Sequence, residues 1–273
     1  MVYKKILLDE TDENIYLEAY IADKIGDYVR KAILVIPGGG YGNICSDREG
    51  EPIAMAFMPY GYNAFVLHYS VSTVNDRKFP NQLIEASKAI KHIRDNADEY
   101  NINPDKVFAT GFSAGGHLCA SLGILWNMKE VYDAVDMPYG YNKPTGIMPI
   151  YPVITPEYHM VSFENLLGKE NCTPELLEKT NLYKHVNKDS APAYIMHTSN
   201  DGVVDVRNSL LLANAYAEAG LEFELHVYPD APHGVALGNE ITECNQPKYN
   251  NPCIAKWIEN ASLWADSIIK RKD

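Results

Sequence analysis

Basic residues are scarce in this chain. Its 273 residues include 24 Lys and Arg against 36 Asp and Glu, a formal charge of -12. A nucleic-acid partner needs a basic face, and so does docking on anionic lipid, so both classes are excluded. Apolar runs are short, and none approaches the ~20 residues of a membrane span. The run Ile6 to Leu8 near the start is too short for a signal-peptide core. Cysteine is sparse and odd in number: Cys45, Cys119, Cys172, Cys244 and Cys253. Their spacing matches neither a metal pair nor a disulfide framework, which points to free thiols in a reducing cytoplasm. A Walker loop and a HExxH helix are absent. The glycines after Pro37 fail the dinucleotide pattern, because Asn43 or Cys45 stands where the third Gly belongs. No metal and no organic cofactor is therefore expected. Repeats, low-complexity tracts and domain linkers are also missing.

What is present is ordinary globular material, 46% hydrophobic and 22% charged. A length near ~250 residues suits a single α/β domain. Tyr is abundant, 19 against 7 Phe and 3 Trp. Tyr joins contact area to a hydroxyl, so it suits the wall of a polar cleft as well as half-buried strand ends. Short apolar runs bounded by Gly or Pro read as buried strands: Ala32 to Ile36, Tyr62 to Tyr69, Lys106 to Thr110, Gly146 to Tyr151, Ala193 to His197 and Phe223 to Tyr228. Pro149 weakens the fourth of these. Tyr3 to Leu8 and Ile15 to Ile21 read as an opening hairpin. Helical spacing runs over Pro80 to Tyr100, Ala114 to Trp126, Val206 to Ala219 and Pro252 to Lys270. Asp205 is placed to cap the third helix and Gly220 to end it. Strands alternating with helices imply a mostly parallel sheet covered on both faces. Asn127 to Thr145 and Pro152 to Pro192 lack periodicity, and stretches this long are either irregular surface or the walls and lids of a site.

The sharpest local signal is Gly111-Phe112-Ser113-Ala114-Gly115-Gly116-His117. Its Gly-x-Ser-x-Gly pattern arises by chance in roughly one chain of this length in ten. Its setting is more specific, since a strand runs into it and an apolar helix runs out, the context of a nucleophile elbow. Small flanking glycines let the turn close and Ser113 project above the sheet edge. A serine hydroxyl needs a base. Of eight histidines, His233 sits on a Pro- and Gly-rich loop just past a strand, able to reach over the edge. His117 lies on the nucleophile's own helix and reads as structural. His226 reads as a packed strand residue. His68 and His197 fall at strand ends as rivals, while His92, His159 and His185 look like surface residues. The orienting carboxylate is Asp201, on the loop leaving the strand Ala193 to His197; Asp205 is its rival, better explained as a helix cap. Three glycines after the first buried strand offer amides to an oxyanion, so Gly39, Gly40 and Ala114 are the expected donors.

The order Ser113, Asp201, His233 and the loop Pro37-Gly38-Gly39-Gly40-Tyr41 resemble the α/β-hydrolase superfamily, in the esterase branch that carries a HGGG-type oxyanion loop. The segments VIPGGGYGNICSDREGEPIA, DKVFATGFSAGGHLCASL and HTSNDGVVDVRNSLLLANAYAEAGLEFELHVYPDAPHGVAL are similar to those of bacterial acetyl esterases and acetyl xylan esterases. Pro37 stands where that branch has His, and Asp205 where it often has Pro. The resemblance implies a central sheet of about eight strands, one α/β-hydrolase domain over residues 1–273 and no large cap domain. It implies a serine esterase acting on a small-molecule ester, an acetylated xylan-type sugar above all. A general carboxylesterase of aryl and alkyl esters is the alternative. A hydrolase-fold receptor without turnover is a more distant one. The oligomeric state is left open by the sequence, a homodimer included.

Overall fold

The computed structural model describes residues 1–272. Eight strands form one sheet: β1 Val2–Leu7, β2 Tyr16–Ile21, β3 Arg30–Ile36, β4 Tyr62–His68, β5 Ile102–Phe112, β6 Ile147–Ile150, β7 Ala193–Thr198 and β8 Phe223–Tyr228. Their spatial order is β1-β2-β4-β3-β5-β6-β7-β8. β1 pairs with β2, and β2 with β4, antiparallel; every later pair is parallel. The helices are α1 Ser46–Glu49, α2 Glu51–Phe57, α3 Asn81–Asp95, α4 Ala97–Tyr100, α5 Ala114–Ile124, α6 Lys129–Ala134, α7 Met160–Leu167, α8 Pro174–Lys179, α9 Arg207–Glu218 and α10 Trp257–Lys272.

The parity of each strand divides the core. In β3, Ala32, Leu34 and Ile36 face one layer with Leu83 and Ile90 of α3, Leu118 of α5 and Leu212 of α9. Ile33 and Val35 face the other, with Phe57 of α2 and Trp257, Ala261 and Trp264 of α10. The runs of β3, β4, β6 and β7 are thus strands buried on both sides, whereas Phe223 to Tyr228, expected to be buried likewise, forms the edge strand β8 and has no fully buried residue. No helix among the described residues is long and apolar enough to cross a membrane.

Several boundaries differ from the sequence reading. The helix expected over Pro80 to Tyr100 breaks at Asn96, whose amide closes onto His92. The last helix begins at Trp257 rather than Pro252, after a tight turn over Ile254–Lys256. β6 tolerates Pro149 because its register with β7 is made at Ile147 and Ile150 alone. Asp205 lies one residue ahead of the cap of α9 and accepts from the Arg207 amide at 2.8 Å. The stretches without periodicity hold short helices, α6 in the first and α7 and α8 in the second. Helices of six to eight residues span too few turns to show a repeat. The second stretch packs beside the carboxyl edge of the sheet: Asn165 of α7 donates to the Gly40 carbonyl at 2.9 Å.

Candidate active site

β5 ends at the carboxyl edge and turns at once into α5, with Ser113 between them at φ 54° and ψ -119°. That region is unfavourable for a residue with a Cβ, so the surroundings must enforce it. They do so by closeness. A Cβ on Gly111 would lie 2.2 Å from the Gly115 carbonyl oxygen, and one on Gly115 would lie 2.2 Å from that of Ile36. The Ser113 amide donates to Ile150 O at 3.1 Å, and its carbonyl accepts from His117 and Val153. The hydroxyl is left at the rim of the sheet, and Ser113 is 8% exposed.

The loop after β8 brings His233 to it. Nε2 of His233 lies 2.9 Å from Ser113 Oγ, and Nδ1 lies 2.7 Å from Asp201 Oδ2. The Asp201 carboxyl is fully buried, on the loop after β7. Its Oδ1 accepts from the amides of Val203 and Val204, both at 2.9 Å. Burial would push this carboxyl up, but hydrogen bonds from His197, His233 and the Val203 amide outweigh it and hold it far below the usual range. Asp205 is instead engaged with the Arg207 guanidinium and makes no hydrogen bond to His233. The structure therefore brings Ser113, His233 and Asp201 into one hydrogen-bonded chain, and the rival Asp205 does not join it.

The other histidines sort by their partners. His117 is 1% exposed, with Tyr41 Oη on Nδ1 at 2.8 Å and the Thr180 carbonyl on Nε2 at 2.9 Å. Nε2 must carry its proton, and burial pushes the imidazole down to about 4. His197 does not line the pocket: it is fully buried behind Asp201, between Ser209 Oγ and Val204 O. His68 stacks on Tyr16, with Glu18 3.4 Å away. His226 of β8 packs on Tyr194 of β7. None of the three expected surface residues is fully exposed, and His185 is half-buried with Nε2 on the Glu178 carbonyl at 2.7 Å. His92 is half-buried against Tyr100 Oη. His159 is half-buried near the site; burial, then the nearby His233 charge, push it down. Its Nδ1 meets Ser162 Oγ at 3.0 Å.

Beside Ser113 runs the glycine loop; a Cβ on Gly38 would lie 3.0 Å from Ser113 Cβ. Its carbonyls are all tied: Pro37 to Tyr69 Oη, Gly38 to the Cys45 amide, Gly39 to the amides of Gly42 and Asn43, Gly40 to Asn165, and Tyr41 to the Ser72 amide. The amides of Gly39 and Gly40 donate to no group among the described residues. Ala114 is the first residue of α5, so its amide has no intrahelical acceptor. The loop is held by the Tyr69 hydroxyl on the Pro37 carbonyl at 2.8 Å and by Glu49, which takes the Gly38 amide at 2.8 Å. Glu49 carries no signal in the sequence, because it sits in a charged stretch, Asp47 to Glu51, that resembles a solvated face. Among the described residues, no cluster of three His, Cys, Asp or Glu side chains is disposed to hold a metal ion.

Comparison with known proteins agrees with this architecture. The BD-FAE family model matches residues 17–216. The chain is 40% identical over 221 residues to endo-1,4-beta-xylanase B of Butyrivibrio fibrisolvens, 78% of this chain and 34% of that protein. It is 31% identical over 214 residues to the acetylxylan esterase of Xylanibacter ruminicola, 76% of this chain and 42% of that one. It thus spans less than half the length of these two relatives. Among solved structures, the acetyl ester-xyloside bifunctional hydrolase of Caldicellulosiruptor lactoaceticus matches with TM-score 0.81 and 32% identity, covering 97% of this chain and 96% of that one. A sugar hydrolase of Lactococcus lactis matches with TM-score 0.84 and 29% identity over the whole of both chains. The chain belongs to the BD-FAE family, with an α/β-hydrolase fold resembling that of acetyl xylan esterases.

Proposed function

We propose that this chain is a serine carboxylic-ester hydrolase that removes short acyl groups, acetyl above all, from carbohydrate, and that residues 1–273 act as one α/β-hydrolase domain. The observation that carries the reading is the unbroken chain Ser113–His233–Asp201 at the sheet edge, with contacts of 2.9 and 2.7 Å. Ser113 attacks the ester carbonyl while His233 Nε2 takes its proton. Asp201 keeps Nδ1 protonated and stabilises the imidazolium. The amides of Gly39, Gly40 and Ala114 receive the charge on the tetrahedral oxygen. His233 then protonates the leaving alcohol and activates the water that releases the acid. The acetyl-carbohydrate substrate is supported by the relatives, one named for acetylxylan and one for an acetyl ester-xyloside. Five free thiols suit a reducing compartment, the cytoplasm.

The test is wild type against Ser113→Ala on acetyl, butyryl and octanoyl nitrophenyl esters and on acetylated xylo-oligosaccharide. Loss of turnover in the variant and a decline with acyl length are expected. Equal activity of the two proteins overturns the nucleophile. An octanoyl preference overturns the acetyl reading in favour of a general carboxylesterase.

A further inference from the structure

Glu49 closes the four-residue helix α1 and is 2% exposed. A carboxyl group that deep is unfavourable unless both oxygens find donors. Oε2 accepts the Gly38 amide at 2.8 Å, and Oε1 accepts the Tyr151 hydroxyl at 2.9 Å. Gly38 directly precedes Gly39 and Gly40, the proposed oxyanion donors, whose amides donate to no group among the described residues. A Cβ there would lie 2.8 Å from Glu49 Oε2 and 2.7 Å from Phe112 O, so only glycine admits this approach.

The second oxygen leads to the other side of the site. Tyr151 follows β6, is 1% exposed, and holds φ at 36°, a strained value for a bulky residue. Its hydroxyl accepts the Ala236 amide at 3.1 Å, three residues beyond His233. Its ring meets the His233 imidazole edge-to-face, with centroids 5.0 Å apart. The Arg48 guanidinium adds charge attraction to Glu49 and lies against Gly234, where a Cβ would be 3.1 Å from its terminal nitrogen. One buried carboxyl group therefore contacts the oxyanion loop directly and the His233 loop through a single phenol.

We propose that Glu49 is a positioning residue for ester hydrolysis, fixing the oxyanion loop through Gly38 and the His233 loop through Tyr151 at the same time. This rests on the serine-esterase reading above. The two loops come from distant parts of the chain, and each must hold its groups within a fraction of an ångström of the Ser113 adduct. A single acceptor shared between them couples their spacing. Glutamine at this position keeps the shape but has only one acceptor oxygen, so either the Gly38 amide or the Tyr151 hydroxyl loses its acceptor.

The experiment compares Glu49→Gln, Tyr151→Phe and the double variant, with Ser113→Ala as reference. Readouts are kcat and KM on nitrophenyl acetate, the inhibition constant of methylboronic acid, which forms a tetrahedral adduct on the serine, and the melting temperature. Removing an oxyanion donor outright lowers kcat by ~10²–10³, so displacing one in Glu49→Gln is expected to lower it by about tenfold or more. KM stays near the wild-type value, and boronate binding weakens in step with kcat. Tyr151→Phe lowers kcat less, and the double variant falls no further than Glu49→Gln, as expected of one shared linkage. Tyr151→Phe carries the same test if the Gln variant does not fold. The proposal is overturned if kcat is unchanged in the folded variants, if the loss appears in KM alone, or if the two losses multiply. Turnover surviving in Ser113→Ala would sink the underlying reading instead.

Discussion

At the residue scale, two aspartates four positions apart have opposite fates. Asp201 accepts two amides on one oxygen and His233 on the other. Asp205 serves the Arg207 amide and guanidinium. Asp201→Asn must therefore aim an amide group at either two N–H donors or the imidazole, and the wrong tautomer of His233 follows. We expect kcat to fall by about 10⁴, the scale of the corresponding change in chymotrypsin-like enzymes. Asp205→Asn should leave kcat at the wild-type level, and an equal loss in both would make the assignment wrong. His159 belongs to the same scale. It is half-buried and close enough to feel His233. An imidazole with Nδ1 engaged by Ser162 can offer Nε2 to a substrate hydroxyl. His159→Ala should raise KM for acetylated xylo-oligosaccharide more than for nitrophenyl acetate; equal change on both would remove it from sugar binding.

At the scale of elements, the junction of β5 and α5 works only if the helix sits against the end of β3. Gly115 makes that contact, its missing side chain leaving room for the carbonyls of Ile36 and Pro37. Both obstacles are backbone, so neither can swing aside. Gly115→Ala should push α5 from the sheet, with loss of activity and of at least ~1–3 kcal/mol in stability from overpacking. Gly202, beside Asp201, has open space where a Cβ would go and no positive φ. Gly202→Ala should be silent in turnover and change stability by under about 1 kcal/mol. Turnover and denaturant midpoints of the pair check this, and equal tolerance of both would show that the elbow is looser than these contacts imply.

At the scale of the molecule, two buried ionisable groups set opposing pH slopes. Glu85 of α3 is 3% exposed, bound to the amide and hydroxyl of Ser70, and burial pushes it up to about 7 from 4.5. The folded state then holds its proton more tightly. Its share of stability is full below about 4.5 and is lost as pH rises to about 7. His117 behaves inversely: burial takes it from 6.5 to about 4, so its share is full above 6.5 and is lost as pH falls towards 4. The slopes oppose each other where the windows overlap. Glu85→Gln removes the first slope alone. Its melting temperature relative to wild type should rise between about pH 4.5 and about pH 7 and level off above, and a constant difference would refute the buried-acid account.

Much of this was legible in the residues. The order Ser113, Asp201, His233 could be read because each lies just past an apolar strand run, and parallel strands deliver their following loops to one edge. The eight strands and the long helices α3, α5, α9 and α10 were legible because runs and repeats of that length carry a period. Short helices were not, and Pro80 to Tyr100 hid a break that only the Asn96 closure reveals. Whether a polar residue is solvated or enclosed also left no local trace. Glu49 looks like its acidic neighbours, His159 and His92 like surface residues, and His197 like a candidate pocket residue. Strand ends and turn glycines are local features, so which groups reach the sheet edge can be read from the residues alone. What stands behind them emerges only when the chain folds: Glu49 meets Gly38 eleven residues back and Tyr151 a hundred and two residues on. Such contacts depend on packing between distant segments, which no local pattern encodes.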